Sequence, residues 1–219
     1  MTIRATHATG AIILAGGRAT RMNGLDKPLQ KLGAKPLLAH VIAALAPQCT
    51  TLVINANGNA TRFSGFDLPV VADASANFLG PLAGVLAGLD DLVQRDPAVG
   101  FAVSVATDTP FLPADLVVKL HAARASGQAD IAVARSGHIV HPTFALWPVA
   151  IRDDLRRALI DEDIRRVTSF LARHTCAYAD WDIVPFDPFF NVNTPDDLGE
   201  AERILAAQES FSRRAEPEK

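Results

Sequence analysis

Positive charge gathers directly behind a pair of glycines near the start of the chain. The stretch AIILAGGRATRMNGLDKPLQK, residues 11–31, passes from an apolar run into Gly16 and Gly17. The cations that follow are Arg18, Arg21, Lys27 and Lys31. Glycines permit close approach of the backbone to a ligand, and successive backbone N–H groups can hold phosphate oxygens whose charge Arg and Lys neutralise. These residue types fit a phosphate-binding loop, and equally a tight turn with solvated cations.

Two common phosphate motifs are excluded for this stretch. A Walker A loop ends in Gly-Lys-Ser or Gly-Lys-Thr, and no such triplet closes the stretch. A Rossmann loop needs the spacing G-x-G-x-x-G, whereas Gly16 and Gly17 are adjacent. Residues elsewhere in the chain must therefore decide between a phosphate loop and a basic turn.

Polar side chains follow three later apolar runs, at points where predicted strands end. Asn55 begins the segment NANGN, Asp73 follows a valine-rich run, and Asp108 lies in TDTP. Each residue alone is more often a turn or cap residue than a ligand. Parallel strands end at one edge of a sheet, however, where these residues would meet the glycine pair. Because Mg²⁺ binds one or two carboxylates together with substrate phosphates, Asp108 or Asp73 beside a phosphate loop would form such a site.

Short strands and amphipathic helices alternate along the chain and must position these residues. The predicted strands are 11–15, 51–56, 69–73, 101–107, 130–135, 143–147 and 189–193. Apolar residues fall on one helical face after Pro36, Pro81 and Pro113, and proline suits the first turn of a helix. Thr194 as N-cap, with Pro195 behind it, begins a further helix. This alternation predicts an α/β fold with a largely parallel sheet.

Further candidate ligand residues have plain structural interpretations beside the functional ones. Gly80, in NFLGPLAGVLAGL, can pass under a flat ring, although its position at a helix start favours a simple helix entry. His141 lies near a strand start with no nucleophile–His–carboxylate order around it, so we do not expect it to act as a base. Asn191 and Asn193 precede the predicted helix cap and are free for a ligand.

Composition and charge exclude several classes of protein. The chain has 219 residues, a net charge of -3 and 49% hydrophobic residues, which supports a sizeable core and argues against a nucleic-acid-coating protein. Cys49 and Cys176 stand far apart without metal-ligand spacing, so we expect reduced thiols and a cytoplasmic protein. The first residues lack the pattern of a signal peptide, and no apolar run approaches the length that spans a bilayer. We therefore expect neither a nucleic-acid partner nor a membrane partner.

A set of segments resembles, in order, the motifs of one enzyme family. The segments are LAGGRATRMNGLDKPL, NFLGPLAGVLAGL, ATDTPFLP, HPTFAL and FNVNTPDDL. Together they are similar to the molybdenum cofactor guanylyltransferase family, from about Ile12 to about Ala207. The first motif alone is shared with sugar-nucleotide and cytidylyltransferases, so the whole set specifies the family. Asn23 replaces a frequent glycine, and Pro28 follows the lysine where some members have glycine, but the spacing from the first leucine to that lysine is the family's.

The resemblance implies a three-layer Rossmann-like nucleotidyltransferase fold, with a mostly parallel central sheet and helices on both faces. It implies an Mg²⁺-dependent enzyme that transfers GMP from GTP to Mo-molybdopterin, forms Mo-molybdopterin guanine dinucleotide and releases pyrophosphate. The GTP-binding positions, with Gly80 added, are Leu14, Ala15, Gly16, Gly17, Lys27, Asn55, Asp73, Gly80 and Asp108. The catalytic positions are Arg21, Lys27 and Asp108, of which Asp108 is the metal ligand. The molybdopterin side falls on His141, Asn191 and Asn193.

Such a transfer implies particular roles for the matched residues. A phosphate oxygen of molybdopterin attacks the α-phosphorus of GTP, so no strong base is needed, and catalysis rests on positioning and electrostatics. Arg21 and Lys27 would hold the phosphates, and Asp108 would hold Mg²⁺ across the α-phosphate and neighbouring oxygens. The Asp73 carboxylate can accept hydrogen bonds from N1–H and the 2-amino group of guanine, a donor pair that cytosine lacks.

Three alternative functions stay open on the sequence. A cytidylyltransferase acting on the same pterin differs in its choice of base, and a sugar-nucleotide pyrophosphorylase shares the first motif. A non-catalytic nucleotide sensor or cofactor-delivery module would bind GTP without releasing pyrophosphate, although Lys27 and Asp108 favour an enzyme.

The sequence also predicts the organisation and partners of the chain. We expect a monomer with an N-terminal extension (1–9), a single nucleotidyltransferase domain (10–207) and a polar C-terminal tail (208–219). The pathway to which the resemblance points implies transient contacts with molybdenum cofactor biosynthesis or molybdoenzyme maturation proteins. GTP and Mo-molybdopterin are the expected small-molecule substrates.

Overall fold

A seven-stranded sheet lies at the centre of the computed structural model, which describes residues 8–16, 26–73 and 80–215. Its strands are β1 (Ala8–Leu14), β4 (Thr51–Asn55), β5 (Val70–Val71), β6 (Val99–Ala106), β7 (Ile131–Ser136), β8 (Ile139–Pro148) and β9 (Cys176–Trp181). A small antiparallel pair is formed by β2 (Lys31–Leu32) and β3 (Lys35–Pro36). The order in the sheet is β5-β4-β1-β6-β8-β7-β9. Of these described strands, β8 runs antiparallel to both of its neighbours, and the others run parallel and end at one edge.

Helices cover both faces of the sheet. They are α1 (Leu37–Leu45), α2 (Pro81–Arg95), α3 (Leu116–Ser126), α4 (Arg152–Ile160), α5 (Val167–Leu171) and α6 (Pro195–Ala215), with short 3-10 helices at Lys27–Leu29, Ala60–Phe66 and Val149–Ile151. Successive residues of a strand point to opposite faces. In β1, Ile13 belongs to the core cluster that holds α1 and α3, whereas Ile12 belongs to the cluster that holds α2, α4 and α5. The predicted three-layer α/β fold is thereby confirmed.

Two glycines allow α2 to lie close against the sheet. A Cβ added to Gly84 would stand 2.2 Å from Oδ1 of Asn55, and one added to Gly88 would stand 2.6 Å from Cγ2 of Ile12. Gly80, just ahead of the helix, has a φ of 81°, a left-handed value that favours glycine. These glycines bring the N-terminus of α2 to the carboxyl ends of β1 and β4.

The start of α6 has the predicted capping arrangement. Oγ1 of Thr194 accepts a hydrogen bond from the N–H of Asp197 (3.1 Å), and Oδ2 of Asp197 accepts from the N–H groups of Thr194 (2.8 Å) and Asn193 (2.9 Å). These bonds favour the charged carboxylate and lower the pKa of Asp197, chiefly through the N–H of Asn193. The cap therefore fixes Asn193, which lies just before the helix.

One predicted strand is wrong, and one strand of the central sheet was missed besides the short pair β2 and β3. Residues 189–193 are irregular. Phe189 and Val192 are buried in two different core clusters, and the N–H of Val192 donates to the backbone O of Asp108 (2.8 Å), so a buried irregular segment explains the apolar pattern. The missed strand is β9, which pairs in parallel with β7 at the edge of the sheet. An edge strand with an exposed Tyr178 gives a weak apolar pattern.

The ends of the chain differ in detail from the predicted boundaries. β1 begins at Ala8 and α6 continues to Ala215, so both elements extend beyond 10–207. The division into extension, domain and tail stays a prediction. Within the described ranges, no helix has both the length and the apolar character that a membrane crossing requires.

Candidate active site

A cleft of about 650 Å³ lies at the edge of the sheet where the parallel strands end. The predicted site residues that line it are Leu14, Ala15, Gly16, Lys27, Asn55, Asp73, Gly80 and Asp108. They come from the ends of β1, β4, β5 and β6, from the 3-10 helix Lys27–Leu29 and from the start of α2. Parallel strands deliver the residues that follow them to one place, which explains why the fold brings this set together.

Part of the basic segment 16–31 lies outside the described residues. Gly17 and Arg21, which we predict to hold phosphates, fall in this undescribed part, 17–25. Gly16 is the last described residue before it and Asp26 is the first after it, and both line the cleft. The two ends of this part therefore border the cleft.

Lys27 lies between two residues that are distant from it in the sequence. Its Nζ donates to Oδ2 of Asp108 (2.6 Å) and to Oδ1 of Asn193 (2.5 Å). The side chains of Lys27 and Asp108 are 23% and 19% exposed, so the ion pair is shielded yet open to a ligand in the cleft. An ammonium group has three N–H donors, which leaves one donor for an anionic oxygen.

The second carboxylate oxygen of Asp108 has the character of a metal ligand. Oδ1 is buried and has no hydrogen-bond partner among the described residues, although buried polar atoms are normally satisfied. The described part of the chain holds no group of three or more His, Cys, Asp or Glu side chains that could bind a metal ion. Mg²⁺ needs no such group, because it binds one or two carboxylates and completes its octahedron with water and substrate phosphates. The residues present therefore fit an Mg²⁺–nucleotide site at Asp108.

Asp73 is held by two side-chain amides. Nδ2 of Asn55 donates to Oδ1 of Asp73 (2.9 Å), and Nδ2 of Asn57 donates to Oδ2 (2.8 Å). Oδ1 of Asn57 also accepts from the N–H of Asp73 (2.9 Å), so Asn57 fixes this residue at two points. Each carboxylate oxygen has a second lone pair, which leaves Asp73 able to accept hydrogen bonds from a ligand.

His141 is packed as a structural residue. Its ring stacks on Phe189, with centroids 4.7 Å apart and 25° between the planes, and Nε2 lies 2.7 Å from Oγ of Ser136. Burial lowers the pKa of His141, and the nearby charge of Asp187 opposes that shift by less. Burial therefore favours the neutral form of the ring.

The residues predicted for the molybdopterin side are only partly brought together. Neither His141 nor the exposed Asn191 is among the described residues that line the cleft. Asn193 reaches the cleft through its hydrogen bond to Lys27. Thr143, two residues beyond His141, does line the cleft.

The cleft residues missed from the sequence include three with charged or amide side chains: Asp26, Asn57 and Arg62. Nη1 of Arg62 donates to Oδ2 of Asp26 (2.7 Å), and Nη2 donates to the backbone O of Asn57 (3.4 Å). Asp26 and Asn57 are close neighbours of Lys27 and Asn55 in the sequence, and that proximity is a signal for them. Arg62 gives no such signal, because a lone arginine in a polar stretch is ordinarily a surface residue.

The family model, the two relatives and the solved structure described below all point to the same group of proteins. Residues 11–176 match the family model of the MobA-like NTP transferase domain. The chain is 57% identical over 197 residues to a molybdenum cofactor guanylyltransferase of Rhodopseudomonas palustris (strain BisB5), which covers 90% of this chain and 94% of that protein. It is 52% identical over 209 residues to a molybdenum cofactor guanylyltransferase of Bradyrhizobium sp. (strain ORS 278), which covers 95% and 99%. Among solved structures, molybdopterin-guanine dinucleotide biosynthesis protein A from Archaeoglobus fulgidus is similar with a TM-score of 0.70 and 25% identity, over 90% of this chain and 99% of that one.

Proposed function

Because this chain belongs to the molybdenum cofactor guanylyltransferases, with a MobA-like NTP transferase domain, we propose that its cleft is where GMP passes from GTP to Mo-molybdopterin. The products are Mo-molybdopterin guanine dinucleotide and pyrophosphate. Membership of the family confirms the predicted nucleotidyltransferase activity. The observation that supports this location of the reaction best is the position of Lys27, whose Nζ contacts both Asp108 and Asn193.

The transfer needs neutralisation of charge rather than a base. A phosphate oxygen of molybdopterin forms a bond to the α-phosphorus of GTP, and the bond from that phosphorus to the oxygen leading to the β-phosphorus breaks. The electron pair of the broken bond leaves with pyrophosphate. The attacking oxygen is already anionic, so no side chain has to remove a proton. A stacked His141, whose pKa is lowered by burial, is consistent with this chemistry.

Lys27 is suited to hold the phosphates during the transfer. Its bonds to Asp108 and Asn193 fix Nζ in the cleft wall, and its third N–H donor is left for a phosphate oxygen. A charge that is fixed in place before the reaction stabilises the negative charge that builds on the phosphates. Gly17 and Arg21 enter the proposal by their motif positions, as a backbone N–H donor and a guanidinium for the same phosphates.

Asp108 is the residue that would hold Mg²⁺, through the Oδ1 atom that lacks a partner among the described residues. When bound there, Mg²⁺ would neutralise charge on the phosphates of GTP and on the departing pyrophosphate. Oδ2 of Asp108 keeps Lys27 beside it at 2.6 Å. One carboxylate thus positions both positive charges at the phosphates.

Asp73 is proposed to recognise guanine. Asn55 and Asn57 orient its carboxylate, whose remaining lone pairs can accept N1–H and a hydrogen of the 2-amino group. Cytosine offers no such pair of donors. This arrangement favours GTP over CTP, and Gly80 ahead of α2 also lines the cleft.

Mo-molybdopterin is proposed to bind on the side of Asn193. Asn193 contacts Lys27 and Thr143 lines the cleft, which supports this side for the attacking phosphate. His141 and Asn191 stay proposals for contacts with the pterin itself.

The cellular setting is also a proposal. The chain would work in the cytoplasm, where the unpaired thiols of Cys49 and Cys176 stay reduced. It would act as a monomer that makes transient contacts with molybdenum cofactor biosynthesis or molybdoenzyme maturation proteins.

One assay tests the proposed function. The purified chain is incubated with Mg²⁺ and Mo-molybdopterin, and with GTP or CTP, and both pyrophosphate and the pterin dinucleotide are measured. We expect product with GTP. Preference for CTP would make the protein a cytidylyltransferase, and product from a sugar 1-phosphate would make it a sugar-nucleotide pyrophosphorylase. Binding of GTP without release of pyrophosphate with any acceptor would leave a sensor or delivery module.

A further inference from the structure

Arg62 is a cleft residue to which neither the sequence motifs nor the reaction gives a role. It lies in the 3-10 helix Ala60–Phe66, between β4 and β5, and 29% of its side chain is exposed. Its guanidinium carbon stands 4.4 Å from the ring centroid of Phe63, and Phe63 is buried. A guanidinium that rests on a fixed aromatic ring is attracted to the ring face. The ring of Phe63 therefore helps to hold the guanidinium of Arg62 in place, with its Nη atoms beside other residues of the cleft wall.

The strongest contact of Arg62 is with the residue that precedes Lys27. Nη1 donates to Oδ2 of Asp26 at 2.7 Å, and 28% of the Asp26 side chain is exposed. The backbone O of Asp26 accepts the N–H of Leu29 (2.9 Å), which closes the turn that carries Lys27. An anchor at Asp26 is therefore an anchor for the backbone from which Lys27 reaches Asp108.

Arg62 also contacts the base side of the cleft. Nη2 donates to the backbone O of Asn57 at 3.4 Å, which is long for a hydrogen bond. The side chain of Asn57 holds Asp73 at its N–H and at its carboxylate. Because this second contact is the weaker one, the main effect of Arg62 falls on the phosphate side, through Asp26.

We propose that Arg62 is a positioning residue for the transfer, which holds Asp26 and so keeps Nζ of Lys27 at the reacting phosphates. The inference rests on the proposed function, because it takes Lys27 as the phosphate ligand. The backbone at Lys27 must lose conformational freedom for Nζ to be held at one point. A charge-assisted hydrogen bond at 2.7 Å supplies a constraint just before Lys27. In this role Arg62 itself contacts neither GTP nor Mo-molybdopterin.

The test compares Arg62→Gln, Asp26→Asn and the double variant in the assay with GTP and Mo-molybdopterin. Each single change removes the same ion pair, so kcat should fall by the same factor, on the order of 10-fold, since small misplacements of reacting groups are costly. The double variant should fall no further than either single variant. The loss should appear in kcat more than in KM, because Lys27 acts on charge that develops in the transition state.

Two controls separate positioning from general loss of structure. Arg95→Gln is the matched control, because the Arg95–Asp91 pair (2.6 Å) lies at the end of α2 away from the cleft, and its kcat should be unchanged. In a Lys27→Ala background, Arg62→Gln should cause no further loss of kcat, because its effect passes through Lys27. Thermal unfolding of every variant is measured alongside. If Arg62→Gln does not fold, the comparison of Asp26→Asn with wild type tests the inference.

Each result decides the inference. A loss in Arg62→Gln far larger than in Asp26→Asn would overturn it and make Arg62 a direct ligand of the substrate. Unchanged kcat in both single variants, with an active wild-type chain, would overturn this inference and leave the proposed function intact. A wild-type chain that forms no product from GTP would overturn both.

Discussion

Gly84 of α2 lies directly against the side chain of Asn55, so closely that a Cβ at Gly84 would stand 2.2 Å from Oδ1 and 2.8 Å from Cγ. Asn55 is 4% exposed, and its Nδ2 donates to Asp73 at 2.9 Å. The missing side chain at Gly84 is therefore a condition for the position of the carboxylate that we propose to recognise guanine. Packing of the helix on the sheet and the proposed choice of nucleotide would then depend on the same contact.

Gly84→Ala should displace Asn55 and weaken the binding of GTP. An extra methyl group forced into a packed interface typically costs about 1 to 3 kcal/mol of unfolding free energy. Loss of an oriented hydrogen bond to a charged group should raise the KM for GTP roughly 10-fold. Urea unfolding and steady-state kinetics measure the two effects.

Gly199→Ala is the control for that substitution. Gly199 lies inside α6, and a Cβ there would meet nothing within 4 Å. Alanine should leave KM unchanged and stabilise the helix by up to about 1 kcal/mol. An unchanged KM in Gly84→Ala would contradict the role of Asn55 in holding the nucleotide site.

Asp108→Asn should lower turnover by on the order of 10²-fold or more, because the change removes the charge that pairs with Lys27 and that we propose to hold Mg²⁺. Initial rates measured over a range of Mg²⁺ concentrations check this expectation. Asp91→Asn, the same substitution in an ion pair of α2 with Arg95, is the control. Near-normal product formation by Asp108→Asn at saturating Mg²⁺ would refute the metal role.

Asp73→Asn should weaken GTP selectively. A hydrogen bond to a charged group contributes about 1.5 to 3 kcal/mol, so the Kd for GTP should rise roughly 10-fold to 10²-fold. Pyrophosphate lacks a base, so its Kd should not change. Calorimetric titration with each ligand measures the difference, and equal weakening of GTP and pyrophosphate would show that Asp73 acts on the phosphates instead.

Asp197→Asn should destabilise the protein at neutral pH, and this destabilisation should disappear at acidic pH. Hydrogen bonds from Asn193 and Thr194 lower the pKa of the Asp197 carboxyl in the folded state. A group with a lowered folded-state pKa contributes stability above its unfolded pKa, and this contribution is lost as the pH falls through the folded value. The free energy of unfolding should therefore differ by about 1 kcal/mol or less at pH 7, since Asp197 is only half-buried and solvent screens its charge.

Denaturant unfolding of wild type and Asp197→Asn, repeated from pH 7 down through the acidic range of aspartate, measures this linkage. Asp196→Asn removes the same charge from the same turn and controls for the helix dipole. A difference between wild type and Asp197→Asn that is constant with pH would show that the capping carboxylate titrates as in the unfolded chain.

The sequence predicts the fold and the alignment of the strand ends at one edge of the sheet, because both follow from the local pattern of apolar and polar residues. Alternating apolar runs and helical faces specify a parallel sheet, and a parallel sheet brings the residues after its strands to one edge. Asn55, Asp73 and Asp108 were found in this way, and the structure places all three in the cleft. Their chemical roles stay proposals.

Side-chain contacts between segments that are distant in the sequence cannot be predicted from local sequence patterns. Nothing in the sequence around Asn193 states that its amide meets Lys27, and nothing around Arg62 states that it meets Asp26. The wrong strand at 189–193 has the same origin, since burial against the core gives an irregular segment the composition of a strand. Tertiary packing decides such cases.

The bond between Lys27 and Asn193 joins residues 166 positions apart, and it has a consequence for biosynthesis. A chain is synthesised from its N-terminus, and a domain folds as a unit once its segments are available. When β1, β4 and β6 have already emerged from the ribosome, the amide that fixes Lys27 is still to be translated. We expect a prematurely terminated chain that stops before Asn193 to contain every described strand of the sheet and yet be catalytically silent, so that GTP and the pterin meet a working centre only late in translation.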